Sequence, residues 1–123
     1  MSPVLVVEDD RDIRETMGLV LEGEGYEVVT APNGKEALLL LQGGLRPSLI
    51  LLDLMMPVMS GWELREQMLR DPSMAAIPTI VITGDTRASQ RTAQLQAAAC
   101  IAKPFEISDL LAAVAEAAPR AEA

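Results

Sequence analysis

This sequence predicts an α/β fold, with five parallel strands in one doubly wound sheet and helices on both faces. Two observations predict it. Short apolar segments alternate with helix-period segments from one end of the chain to the other. One of them, Leu49–Asp53 in "PSLILLDLMMP", has no polar side chain until its last position, the pattern of a strand buried on both faces. Strands buried on both faces and joined by helical crossovers form a parallel sheet.

Val4–Val7 is the first strand. Ile13, Met17, Val20 and Leu21 then recur at helical spacing, and the helix stops near Gly23 to Gly25, where glycine can adopt a left-handed cap. Tyr26 to Thr30 is the second strand. Asn33 caps a helix with Glu36 three residues on, and this helix runs to Gly43-Gly44. After the third strand, Leu49–Asp53, Ser60 with Glu63 forms a capping box for a helix ending at Asp71-Pro72. Thr79–Thr83 is the fourth strand. A polar helix with few apolar anchors is expected from about Arg87 to Ala97, and residues 99 to 102 make a short fifth strand. Ile107, Leu110, Leu111 and Val114 mark the last amphipathic helix.

The 123 residues suit one domain, with residues 3–118 as its core and 119–123 as a frayed tail. Half the residues are hydrophobic, enough for a core without disulfides or a structural metal. Tyr26, Trp62 and Phe105 are the only aromatics, so that core is aliphatic. The single cysteine, Cys100, cannot form an internal bridge, which fits a reducing cytosol. No segment reads as a signal peptide or approaches the roughly 20 apolar residues of a membrane span, so a cytoplasmic protein without membrane insertion is expected. The formal charge is −8 and no block of Lys or Arg offers a phosphate-binding stripe, which argues against direct nucleic-acid binding. With no histidine, Ser-His-Asp, Cys-His and imidazole-metal sites are excluded. Any metal must be a hard cation held by oxygen.

Ligands of an open parallel sheet bind beyond the C-terminal strand ends, where the strand order reverses. Glu8, Asp9 and Asp10 follow the first strand, Asp53 closes the third, Thr83 closes the fourth, and Lys103 lies just past the fifth. All reach the same edge. Two like charges about 4 Å apart repel by roughly 4 kcal/mol at an effective dielectric of 20, so such a cluster needs raised pKa values or cations. Mg²⁺ accepts carboxylates and waters in an octahedral shell and keeps positions for phosphate oxygens. A carboxylate beside it is a plausible nucleophile toward phosphorus. Each feature alone has a plainer reading. "EDD" can be an N-cap with first-turn acids, Thr83 a β-branched strand end, and Lys103 a surface lysine. Their joint occurrence at strand ends favours a site.

Four segments, "VLVVEDD" (4–10), "PSLILLDLMMPVMSGWEL" (47–64), "IPTIVITG" (77–84) and "IAKPF" (101–105), occur in that order. With them, nearly the whole chain resembles the receiver domain of bacterial two-component response regulators, the CheY-like superfamily. The resemblance implies a flavodoxin-like (βα)5 sheet with strand order 2-1-3-4-5. It implies a phosphorylation switch rather than an enzyme, assisting only its own aspartyl phosphorylation and autodephosphorylation. Asp53 would be the phospho-acceptor, served by a sensor histidine kinase or histidine phosphotransfer protein. Mg²⁺ would be held by Asp9, by Glu8 through water, by Asp53 and by the Met55 backbone carbonyl. Lys103, in a cis bond to Pro104, would pair with a phosphoryl oxygen, and the Thr83 hydroxyl would swing to another. Gly84 would leave room for the phosphoryl group, and Pro57 and Gly61 would shape the loop after the acceptor. A downstream protein target would read the change.

Some features depart from the family. Cys100 stands where an aromatic usually relays the threonine's movement, and the segment from Thr83 to Lys103 is about two residues short. Met55 and Asp85 occupy positions that tune phosphoryl lifetime in the family. The short tail "APRAEA" suggests a stand-alone receiver, with a fragment of a longer regulator as the alternative. A small Mg²⁺-dependent phosphatase is a competing reading. Such enzymes usually carry an acid two residues after the nucleophile, where this chain has Met55. An unphosphorylated docking module is a third.

Overall fold

The structure, a computed structural model, describes residues 3–84 and 95–117. Strands β1 (Val4–Val7), β2 (Val28–Ala31), β3 (Leu49–Asp53), β4 (Thr79–Thr83) and β5 (Ala99–Ala102) are parallel, in the order β2-β1-β3-β4-β5. The described helices are α1 (Arg11–Gly23), α2 (Gly34–Gln42), α3 (Gly61–Leu69), a single turn α4 (Pro72–Ala75) and α5 (Ile107–Ala117).

Successive strand side chains point to opposite faces, and a main core forms on each, with a smaller cluster of Leu54, Val81 and Leu95 beside them. Val4, Val6, Leu49, Leu51, Ile80 and Ile82 pack with Met17 and Leu21 of α1 and Leu110 and Val114 of α5. Leu5, Val7, Ile50 and Leu52 pack with Ala37 and Leu41 of α2 and Leu64 and Met68 of α3. β1, β3 and β4 are buried along their whole length, each large aliphatic side chain contributing roughly 1.5–3 kcal/mol. From β1 the chain crosses to β2 on one side and returns to β3 on the other. A crevice therefore opens beyond the ends of β1 and β3.

The helix ends follow local chemistry. Gly25 adopts φ +93°, with its N–H bonded to the Glu22 carbonyl (3.0 Å) and the Tyr26 N–H to Leu21 (3.1 Å). This left-handed cap consumes Tyr26, so β2 begins at Val28 rather than at Tyr26. Gly44, at φ +109°, closes α2 in the same way, with the Leu45 N–H on the Leu40 carbonyl at 3.0 Å. Asn33 caps α2 by accepting the Glu36 N–H, and Ser60 with Glu63 forms the full capping box of α3. α3 stops at Leu69, and Asp71 then caps α4 by accepting the Ser73 N–H. The Asp71-Pro72 pair thus starts a turn as well as ending a helix. The helix expected from Arg87 lies mostly in residues 85–94, outside the described ones. Its expected end at Ala97 is overturned, because Gln96 sits at φ +53° in a turn after Leu95.

Two close approaches hold the loop between β3 and α3. A Cβ on Gly61 would collide with the Asp53 carbonyl oxygen and come within 2.8 Å of the Leu54 Cα, and one on Gly34 would meet the Met59 carbonyl oxygen at 2.7 Å. Gly61→Ala must displace backbone at the end of β3, so we expect a loss of about 1–3 kcal/mol in urea unfolding. Unchanged stability would show that the approach is not a constraint.

Candidate functional site

The burial of β1 and β3 carries two carboxylates into the crevice. Glu8 follows β1 and Asp53 ends β3, and they are 1% and 3% exposed. Asp9, beside Glu8, is exposed. One oxygen from each of the three lies within 4.8 Å of the others. Lys103 comes in past β5, its Nζ 3.0 Å from Glu8 Oε1 and 3.3 Å from Asp53 Oδ2. The Lys103–Pro104 bond is cis.

Backbone and side-chain bonds fix the orientation of these groups. The Met55 N–H donates to Asp53 Oδ1 at 3.1 Å, while the Met55 side chain is exposed. The Asp10 N–H donates to Glu8 Oε2 at 3.2 Å. Asp10 itself caps α1, accepting the Asp12 and Ile13 N–H groups at 2.9 and 3.1 Å. The "EDD" run therefore divides: its third acid is the helix cap, and its first two belong to the cluster. Thr83 is buried at the end of β4, and its carbonyl accepts the Lys103 N–H at 2.8 Å. Ile82, its neighbour, is in register with Asp53. Among the described residues, a Cβ on Gly84 would meet no atom within 4 Å. Gly61, by contrast, is needed by the protein's own backbone.

Sequence reasoning missed Arg14. Its Nη1 donates to the Glu8 carbonyl at 2.8 Å and to the Asp9 carbonyl at 3.4 Å, tying the acidic loop to α1. Only its position one helical turn past the acids could have pointed to it.

Charge balance in the cluster is incomplete. Burial, then the hydrogen-bonded neighbour Asp53, pushes the Glu8 carboxyl up to about 7, and Lys103 only partly opposes this. For Lys103, burial would lower the pKa, but the close contact with Glu8 and the charges of Asp53 and Glu8 outweigh it and raise it. One lysine thus faces two buried carboxylates. Among the described residues, no donor is aligned to the buried Glu8 Oε1 as a hydrogen bond, although Lys103 lies 3.0 Å away as an ion-pair partner. An all-oxygen set with two buried carboxylates sharing one lysine fits a hard divalent cation.

The chain matches a protein family, the response regulator receiver domain, over residues 4–115. It belongs to that family. This receiver is 42% identical, over 93 residues, to an uncharacterised 14.6 kDa protein of Leptolyngbya boryana, covering 76% of this chain and 70% of the other. It is 39% identical over 111 residues to the response regulator MprA of Mycolicibacterium vanbaalenii, covering 89% of this chain and 47% of MprA. The receiver thus spans about half of MprA's length. Among solved structures, chemotaxis protein CheY4 of Vibrio cholerae aligns at TM-score 0.86 and 32% identity, over 95% of this chain and 98% of CheY4. Response regulator TrrA of Thermotoga maritima, solved in complex with Mg²⁺-BeF, aligns at 0.84 and 31%, over 95% and 99%. Receiver domains are signalling switches of two-component systems, and the fold class and family implied by the four sequence segments are those found. Among the described residues, no helix is long and apolar enough to cross a membrane.

A carboxyl whose pKa is raised on folding favours the folded state at low pH and loses that contribution as pH rises through the folded value. Glu8 ionises ordinarily near 4.5 and here near 7. Metal-free stability should therefore fall between about pH 4.5 and 7, by up to about 3 kcal/mol. Glu8→Gln should flatten that stretch of the curve in chemical unfolding. A parallel decline in the variant would remove Glu8 as its source.

Proposed function

We propose that this receiver accepts a phosphoryl group on Asp53 from a sensor histidine kinase or a histidine phosphotransfer protein, and thereby changes its affinity for a downstream protein. The observation that carries the reading is the cluster itself, with Glu8, Asp9 and Asp53 within one cation's reach and Lys103 beside two of them. We further propose one receiver unit over about residues 3–118, acting in the cytoplasm.

In this reading, Asp9, Asp53 and the Met55 carbonyl hold Mg²⁺ directly and Glu8 holds it through water. Bound Mg²⁺ supplies positive charge that offsets the carboxylates and the incoming phosphoryl oxygens. A carboxylate oxygen of Asp53 attacks phosphorus, an O–P bond forms, and the P–N bond to the donor imidazole breaks as its nitrogen takes a proton. The Met55 N–H and Lys103 Nζ hold Asp53 in place before attack. Lys103 then pairs with a phosphoryl oxygen. Thr83, already joined to Lys103 through the backbone, supplies a hydroxyl to another and draws its loop inward. Hydrolysis of the acyl phosphate resets the switch.

Incubation with phosphoramidate and Mg²⁺ should add one phosphoryl mass to the intact protein, and Asp53→Asn should abolish it. Stable labelling of that variant would contradict the assignment. Lys103→Ala should still bind Mg²⁺ yet lose about ten- to a hundredfold in phosphorylation rate, the worth of one charge-assisted hydrogen bond. Thr83→Ala should accept the label but transmit poorly to a partner. A wild-type rate for the lysine variant would remove that role.

A further inference from the structure

α3 carries a buried cation that the cluster does not use. Arg65 is 2% exposed. Its Nε donates to the Leu95 carbonyl at 2.8 Å and its Nη2 to the Gln96 carbonyl at 3.3 Å, while Nη1 is buried with no hydrogen-bond partner among the described residues. Burial pulls the guanidinium below its ordinary pKa. Among the described residues no carboxylate forms an ion pair with it. A well-packed apolar side chain is often as stable or more so at such a position. What the guanidinium alone supplies is a two-pronged grip on successive carbonyls.

That grip falls on a strained and well-placed turn. Gln96 sits at φ +53°, a left-handed conformation that is unfavourable for a residue with a Cβ. Leu95 is buried with Leu54 and Val81, and Trp62 and Ala97 pack against the three. Leu54 directly follows Asp53, and Val81 stands two residues before Thr83. The Leu54 N–H donates to the Ile82 carbonyl at 3.0 Å, binding these two strand ends together. Just beyond the turn, the Ala98 N–H donates to the Thr79 carbonyl at 2.8 Å and the chain runs into β5. The turn therefore rests on the segments that present the acceptor and the threonine, and it leads into an edge strand on which Cys100 is exposed.

We propose that Arg65 is a positioning residue of the switch, holding the Leu95–Gln96 turn against Leu54 and Val81 so that a change at Asp53 and Thr83 reaches the start of β5. The proposal rests on the acceptor reading above. It gives the signal a path that does not pass through the side chain at position 100. The grip makes the turn stiff enough to follow Leu54 and Val81 rather than yield locally.

The test is hydrogen exchange by mass spectrometry on the full chain, for wild type, Arg65→Lys and Arg65→Met, each with and without Mg²⁺ and beryllofluoride. Binding is followed separately by the fluorescence of Trp62, the only tryptophan. Without ligand, Arg65→Met should speed exchange in peptides covering residues 95–102 by about tenfold relative to those covering β1 and β3. With Mg²⁺ and beryllofluoride, wild type should change its exchange over 95–102, the lysine variant less so, and the methionine variant hardly at all, although all three bind. A methionine variant that binds and responds like wild type would overturn the proposal. Should that variant fail to fold, a wild-type response from Arg65→Lys overturns it instead. If wild type binds no beryllofluoride, the acceptor reading fails, and unaltered ligand-free exchange in the variants then removes the grip as well.

Discussion

Two buried carboxylates are held at one edge of the sheet with the exposed Asp9 beside them, and most of the local structure answers to that constraint. Glu8 and Asp53 are carried there by strands that are buried throughout, so neither can swing away into water. The protein brings one lysine to the pair, but burial and the neighbouring Asp53 outweigh it and still raise the Glu8 pKa. The remaining imbalance fits the divalent cation proposed for the cluster. A fully neutralised site would be more stable and would have no affinity to spare.

Rigidity is the second half of the design. Asp53 ends a strand whose neighbours on both sides are strands, and the loop after it is pressed between Gly34 and Gly61 at distances that allow no Cβ. Arg14 ties the Glu8–Asp9 backbone to α1, and the Met55 N–H fixes one oxygen of Asp53. A small displacement at such a site is passed on to its neighbours, because close-packed elements have little slack to absorb it. Leu54, buried immediately behind Asp53, and Leu95 in contact with it lie where such a displacement would go.

Much of this was legible in the sequence. The doubly wound sheet followed from the alternation of apolar and helix-period segments, and β1, β3, β4 and β5 lie at the expected residues. The convergence of Glu8, Asp9, Asp53 and Lys103 followed from their places at strand ends, since topology alone brings those ends to one edge. The start of β2 was not legible, because a glycine cap that consumes the next residue looks in sequence like an aromatic strand beginning. The second role of Asp71-Pro72 was hidden by its first. Arg14 and Arg65 were invisible for a common reason. Each acts on backbone carbonyls, and a carbonyl leaves no mark of its own in a sequence.

The central claim is that the acidic cluster is built around a divalent cation. Calorimetric titration of the metal-free protein with Mg²⁺ tests it most directly, at two pH values on either side of 7 and beside Asp53→Asn. The account predicts one ion per chain, tighter binding at the higher pH as protons leave the cluster, and clear weakening in the variant. Absence of binding, or binding indifferent to both pH and Asp53, would contradict it.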